Sequence, residues 1–284
     1  MAGVSTNRTN ISLPPEVAAE ILAKTQEASA VMSLARQIQL PGRGVSIPVI
    51  TGDPQAAWVA ETAAKPVSNP SLETKIMEPY KLAVIVPFSN EFRRDAAALY
   101  DELVRRLPLA LAQKFDATVV GAVQAPGSNF DTFAAATAQV IGTDTYDGLV
   151  AADTDIATHG GIMNGIALSP QGKGVLLAAK DGTERPLFIN SVAEGAVPMV
   201  LGAPVKVNKG MYNATGKVLG VAGDWTQAMY GTVEGVVIDY SSDATLVSGA
   251  TTINLFQQNM FAVRAEIEIG FRADVNCFNR LTEE

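Results

Sequence analysis

One stretch constrains the fold of this 284-residue chain more than any other. From Phe261 to Val275 every odd position is apolar: Phe261, Val263, Ala265, Ile267, Ile269, Phe271, Ala273 and Val275. The even positions are mostly charged, with Arg264, Glu266, Glu268, Arg272 and Asp274. Strict period two specifies a strand with one face buried and the other in water. At the usual rise per residue such a strand spans roughly 50 Å. That length suits an elongated domain.

The other elements are of both kinds, which makes the chain α+β. Residues 1–12 read as a flexible polar arm. Pro14-Pro15 then opens a helix, since proline suits a first turn, and Val17, Ile21, Leu22, Ala28 and Val31 carry it to about Arg36. Alternating runs at Val45, Ile47, Val49 and at Ile76, Tyr80, Leu82, Val84, Val86 predict two strands, with Pro79 marking an edge or bulge in the second. Between them lies a long segment rich in Gly, Pro, Ala, Ser and Asn, so residues 41–86 form a hairpin-like excursion with a loosely structured tip. Trp58 sits in that loop and packs either on its own domain or on a neighbouring subunit, where aromatics are enriched. Leu99, Leu103, Leu107, Leu111, Phe115 and Val119 stripe a helix over 92–122, and Pro108 is expected to kink or break it.

After Gly142 short segments alternate with Gly-rich turns, as in a second subdomain inserted into the first. Helices are expected over 144–158 and from Pro170, capped by Ser169. Strands are expected at Pro204–Asn208, Lys217–Ala222 and Thr232–Tyr240.

Little in the chain supports catalysis. His159 is the single histidine and reads as a helix end, where the ring can cap carbonyls. Cys277 is the single cysteine and reads as a core residue. Two such side chains are too few for a zinc site. The acids lack calcium-loop spacing, and Gly172-Lys173-Gly174 lacks the Ser or Thr and the glycine spacing of a phosphate loop. Glu266 and Glu268 share a strand face, which reads as solvated rather than as an acid–base pair. No cofactor or metal is expected, and the chain is read as a non-enzyme. The net charge is -8, and the densest basic runs, Arg93-Arg94 and Arg105-Arg106, have acids close by. Phosphate binding needs clustered Lys and Arg, so a dedicated nucleic-acid-binding protein is disfavoured; a container that must not grip its cargo is compatible. No apolar run is long enough to span a membrane.

Three stretches carry a family resemblance. They are Trp58-Val59-Ala60-Glu61, Ser68-Asn69-Pro70, and Lys81-Leu82-Ala83-Val84-Ile85-Val86-Pro87-Phe88-Ser89-Asn90-Glu91. With the finish from Phe256 to Leu281, their order resembles that of tailed-bacteriophage major capsid proteins of the Hong Kong 97-type fold. The resemblance implies an N-terminal arm and helix (1–40), an extended loop (41–86) and a peripheral domain with a spine helix (87–141). It further implies an axial domain (142–252) and a return to the peripheral domain with the long strand and C-terminus (253–284).

It also implies a virion protein assembled in the host bacterial cytoplasm. Copies would self-associate as hexamers and pentamers of an icosahedral shell enclosing double-stranded DNA, with scaffold, portal and cement proteins as further partners. Candidate inter-subunit contacts are Trp58, Glu61, Lys65, Lys75, Arg93, Arg264 and Glu266. Some family members crosslink a loop lysine to a neighbour's asparagine, which makes Lys65, Lys75, Asn276 and Asn279 candidates here. Gly42, Gly44 and Gly52 are expected hinges that absorb the difference between five-fold and six-fold positions. The competing readings are an encapsulin-like shell, a β-rich tail or assembly protein, and an enzyme of unknown type.

Overall fold

The computed structural model describes residues 15–50, 58–59, 72–91, 96–188, 199–248 and 251–284. Helix α1 (Pro15–Ala28) begins at proline as expected but ends earlier than predicted. Ser29 takes extended backbone, and its Oγ accepts from Met32 N to cap a new short helix, α2 (Ala30–Leu34). A serine that can bond nearby backbone favours such a cap over a helix interior. Residues predicted to finish the helix instead form strand β1 (Arg36–Gln39), because a parallel partner strand lies beside them.

Strands β2 (Val45–Ile50) and β3 (Leu72–Met77) pair antiparallel, from Val45 opposite Met77 to Ile50 opposite Leu72. This is the stem of the expected excursion. The single run predicted from Ile76 to Val86 is split, and Pro79 separates β3 from β4 (Tyr80–Ser89). Proline lacks the N–H that a continuous ladder requires.

Helix α3 (Ala96–Val119) is continuous through Pro108, so the break that was one of the two expected outcomes does not occur. Leu103, Leu107, Leu111, Phe115 and Val119 are all buried; the Leu99 side chain lies outside the described ones. A proline inside a helix costs about 3 kcal/mol. Burying Leu103, Leu107 and Leu111 contributes about 2 kcal/mol each, so the packed ridge outweighs it.

The chain continues through β5 (Thr137–Val140), α4 (Thr145–Thr158), β6 (Gly165–Leu168) and α5 (Pro170–Ala178). Asp144 and Ser169 cap the two helices, accepting from Asp147 N and Gly172 N. Next come β7 (Met199–Val200), β8 (Ala203–Val207), β9 (Val218–Gly223), β10 (Ala228–Thr232) and β11 (Val237–Ser241). The strand expected at Thr232–Tyr240 is thus two strands. A separate hairpin, β12 (Thr245–Ser248) with β13 (Thr251–Asn254), precedes the long strand β14 (Met260–Ala273), and β15 (Phe278–Thr282) ends the fold.

Strand β14 organises a five-stranded sheet. Strand β4 pairs with it from Ser89 opposite Met260 to Tyr80 opposite Ile269. Strand β11 faces residues 262–266 and β10 faces 269–273, with β1 parallel to β10 beyond. The odd residues Phe261 to Ala273 are all buried, as the alternation requires. Leu103, Leu107 and Leu111 of α3 and Ile21 of α1 cover Phe261, Val263, Ala265 and Ile267.

A six-stranded sheet holds β5, β15, β9, β6, β8 and β7 in that order. Boundaries at 142 and 252 therefore do not follow the sheets. Strands β10 and β11, from inside that range, join β14, while β5 and β15, from outside it, join the six-stranded sheet. Non-local pairing of this kind leaves no local signature in sequence. An aromatic cluster links the two sheets: Phe133 lies 4.5 Å from Phe278 and 5.7 Å from Phe271 between ring centroids, and Trp225 stands 5.2 Å from Phe278.

Candidate functional site

His159 and Cys277 are both engaged with backbone carbonyls. His159 is the C-cap of α4, and its Nδ1 lies 2.8 Å from Asp155 O. The Cys277 sulfur meets the backbone carbonyl of His159 at 3.9 Å. Cys277 is buried, and that burial, with Asp274 and Asp224 nearby, pushes its thiol above the ordinary range, away from the reactive thiolate. Among the described residues there is no group of three or more His, Cys, Asp or Glu that could hold a metal, and no helix long and apolar enough to cross a membrane.

The chain's unusual features lie on surfaces and at joints. Trp58 is fully exposed, at 105% of its reference area. Glu61, Lys65 and Arg93 lie outside the described residues. Arg264 pairs with Asp239 on β11 and approaches Glu266 at 3.4 Å, so both strand candidates are engaged within one protomer on an open face. Lys81 and Glu268 make a similar cross-strand pair at 3.4 Å. The β12–β13 hairpin and the turn after it expose Val247 and Phe256, and residues 244–263 carry no charged side chain. Asn276 is exposed on a 3-10 turn, whereas Asn279 is fully buried and donates to Ala152 O at 3.1 Å.

The root of the extended hairpin is a polar knot that sequence reasoning missed. Arg272 belongs to the predicted solvent face of β14, yet it is only 9% exposed. Its Nε and Nη2 donate to Ile76 O at 2.8 and 2.5 Å. Nη1 donates to Asp131 Oδ1, and Nη2 also to Asn129 Oδ1, both at 2.7 Å. Asp131 Oδ2 in turn accepts from Ala273 N at 3.1 Å. Lys75, predicted as an outward contact, donates to Ala273 O at 3.2 Å and sits 4.0 Å from Asp131.

A second joint ties the N-terminal helices to the spine helix. Asp116 of α3 is completely buried and accepts from Ser29 Oγ at 2.5 Å, Ala30 N at 2.9 Å and Val31 N at 3.4 Å. Burial pushes its carboxyl up to about 7, and those three hydrogen bonds only partly oppose the shift. Asn208 Nδ2 donates to Ala28 O at 2.6 Å beside it. The available signal was a charged residue on the apolar side of a helix, next to Phe115 and four residues after Ala112. Arg272 offered no such signal, since Arg264, Glu266 and Glu268 share its face.

Residues 10–274 match the phage capsid family. The chain is 30% identical over 293 residues to the Mycobacterium phage L5 protein named "Probable major capsid protein gp17", covering 95% of this chain and 89% of that one. It is 24% identical over 283 residues to the "Major capsid protein" of Staphylococcus phage 80alpha, covering 95% and 84%. A solved structure from Microbacterium phage Oxtober96 superposes with a TM-score of 0.70 at 19% identity, covering 99% of this chain and 95% of that one. With its long central strand, spine helix and hairpin excursion, the chain has the Hong Kong 97-type fold and belongs to the phage capsid family, whose major capsid proteins form the shells of tailed phages.

Proposed function

We propose that copies of this chain associate as hexamers and pentamers that close into an icosahedral shell around double-stranded DNA. The observation that carries this reading is Trp58, left wholly in water between two strands that pair as a separate hairpin stem. A tryptophan in that position loses its exposed apolar area when a neighbour covers it, and such anchors dominate many interfaces. Permanent interfaces commonly bury about 2,000 Å² or more, and an extended hairpin adds area without enlarging the core. The uncharged β12–β13 hairpin with Val247 and Phe256 is a second surface of this kind.

The chain acts as structural wall material and catalyses no reaction. Its net charge of -8 and lack of a basic cluster suit a wall that does not grip packaged DNA. Assembly in the bacterial cytoplasm with scaffold, portal and cement proteins completes the proposal. Expression of the chain alone and with its neighbouring assembly proteins, followed by negative-stain electron microscopy, tests it. Closed uniform shells, or hexamer rings and tubes, are expected. Discrete monomers or dimers in both preparations would overturn it.

A further inference from the structure

We propose that Arg272 is the positioning residue of the extended hairpin: by holding the Ile76 carbonyl against β14 it fixes the direction in which β2 and β3 leave the body, and so the curvature of the assembled wall. The inference rests on the shell reading above.

A nearly buried guanidinium is costly unless its donors are occupied. Here they converge on three acceptors from two segments, the hairpin root at Ile76 and the loop at Asn129 and Asp131. The contact to the root is made to backbone. Ile76 itself keeps its side chain half-exposed, so the carbonyl rather than the apolar group is the docked part. Asp131 is strapped to β14 twice, accepting from Ala273 N and donating its own N–H to Phe271 O at 3.2 Å. The anchor is therefore fixed to the long strand and cannot follow the hairpin. Met77, fully buried, seats the next residue beside Gly270, where an added Cβ would stand 2.8 Å from Met77 Cγ and 2.7 Å from Glu78 O.

On the β2 side the chain is tied to the body before the hairpin begins: Leu40, buried, donates its N–H to Thr232 O at 2.9 Å and packs against Gly231 and Gly270. Gly44 enters β2 from a turn closed by Gly44 N to Pro41 O at 2.8 Å, with φ +80°. A Cβ there would lie 2.5 Å from Met77 O, so β2 is packed on β3 rather than on β14. Gly44 is thus a tight-packing position, and past it the described contacts from the stem to the long strand are made by β3, at Lys75, Ile76 and Met77. The lever makes this matter. The six paired residues of the stem reach about 20 Å, so a tilt of about 10° at the root moves its far end by about 3 Å. Interface backbones in pre-organised complexes generally move by only about 1 Å on binding.

The test uses the full chain, co-expressed with its assembly proteins, as wild type, Arg272→Lys and Asp131→Asn. Lysine keeps the charge but cannot fork across three acceptors. Far-UV circular dichroism reports the fold, hydrogen exchange of residues 72–77 reports the clamp, and cryo-electron microscopy reports shell diameter. For Arg272→Lys we expect a retained fold, stem exchange at least about tenfold faster, and shells of mixed diameter or open sheets. Asp131→Asn should shift both readouts the same way by less, and it carries the test if Arg272→Lys does not fold. Uniform shells of wild-type diameter despite a deprotected stem would refute the positioning role, and unchanged stem exchange would refute the clamp itself. Should wild type form no shells, the shell reading fails, while stem exchange still decides the clamp.

Discussion

Asp116 shows how much one residue can decide. The apolar ridge of α3 needs no carboxyl, yet this one satisfies the Ser29 hydroxyl and the first amides of α2 where the N-terminal helices meet the spine helix. Its folded carboxyl titrates well above its unfolded one, so the native state binds more protons between the two values. The stability contributed by the neutral acid is therefore fully present below the ordinary carboxylate value of 3.8 and is lost as pH rises through about 7. Roughly three pKa units correspond to a loss on the order of 4 kcal/mol. The charged side chains on the elements packed around it, Glu20, Lys24, Glu27, Lys114 and Lys209, are exposed, so nothing nearby offsets that loss. Asp116→Asn should remove this slope. Denaturant melts of both proteins at about pH 5 and about pH 8 should show wild type losing stability relative to the variant as pH rises. Parallel pH profiles would contradict it.

Trp58 gives the complementary case at the same scale. Fully exposed in the protomer, it contributes little to folding, so Trp58→Ala should leave the unfolding midpoint of unassembled protein within about 0.5 kcal/mol of wild type. Sedimentation should instead show shell yield collapsing, since a buried interface tryptophan is commonly worth about 2 kcal/mol or more. A variant that assembles normally would remove Trp58 from the interface.

At the scale of elements, the hairpin β2–β3 and the hairpin β12–β13 pose one physical problem. Two-stranded hairpins are marginal in water, and each of these is a two-stranded sheet of its own. The first is rooted by Arg272, Met77 and Gly44. Gly44→Ala would force a Cβ into the Met77 carbonyl at a positive φ, at a cost of about 1–3 kcal/mol. Faster hydrogen exchange confined to residues 45–50 and 72–77, with the α3 core unaffected, is the expected signature. Loss of protection throughout would mean that the hairpin is not an independent element. Sequence foresaw the stem, the long strand, the α3 ridge, the end of α4 at His159 and the cap of α5 at Ser169, because each has a local period or a capping residue. It misjudged the end of α1, since β1 exists only by pairing with β10. Of the two outcomes expected at Pro108, the break is absent, since the ridge that holds α3 together is buried by other elements.

For the whole molecule, the sheets are distinct in hydrogen bonding but not in packing. Phe133, Trp225, Phe271 and Phe278 interlock between them, and β15 returns from the end of β14 into the six-stranded sheet. Phe133→Ala should cost about 3–5 kcal/mol. Because the cluster is shared, calorimetry should show one cooperative transition lowered as a unit. Two separated transitions would indicate sheets that fold independently.

By itself the sequence determined the fold class, the long half-buried strand, the spine-helix ridge and the family resemblance, because periodicity and capping are written in neighbouring residues. It also disfavoured the commonest catalytic chemistries, because a single histidine and a single cysteine cannot build most of them. Only the tertiary structure decided which strands share a sheet, that Arg272 turns from water to the hairpin root, and that Asp116 is sealed beneath the N-terminal helices. The reason is that these outcomes depend on partners far away in the chain. A charged residue on a strand face or helix reads the same locally whether water or a distant carbonyl receives it.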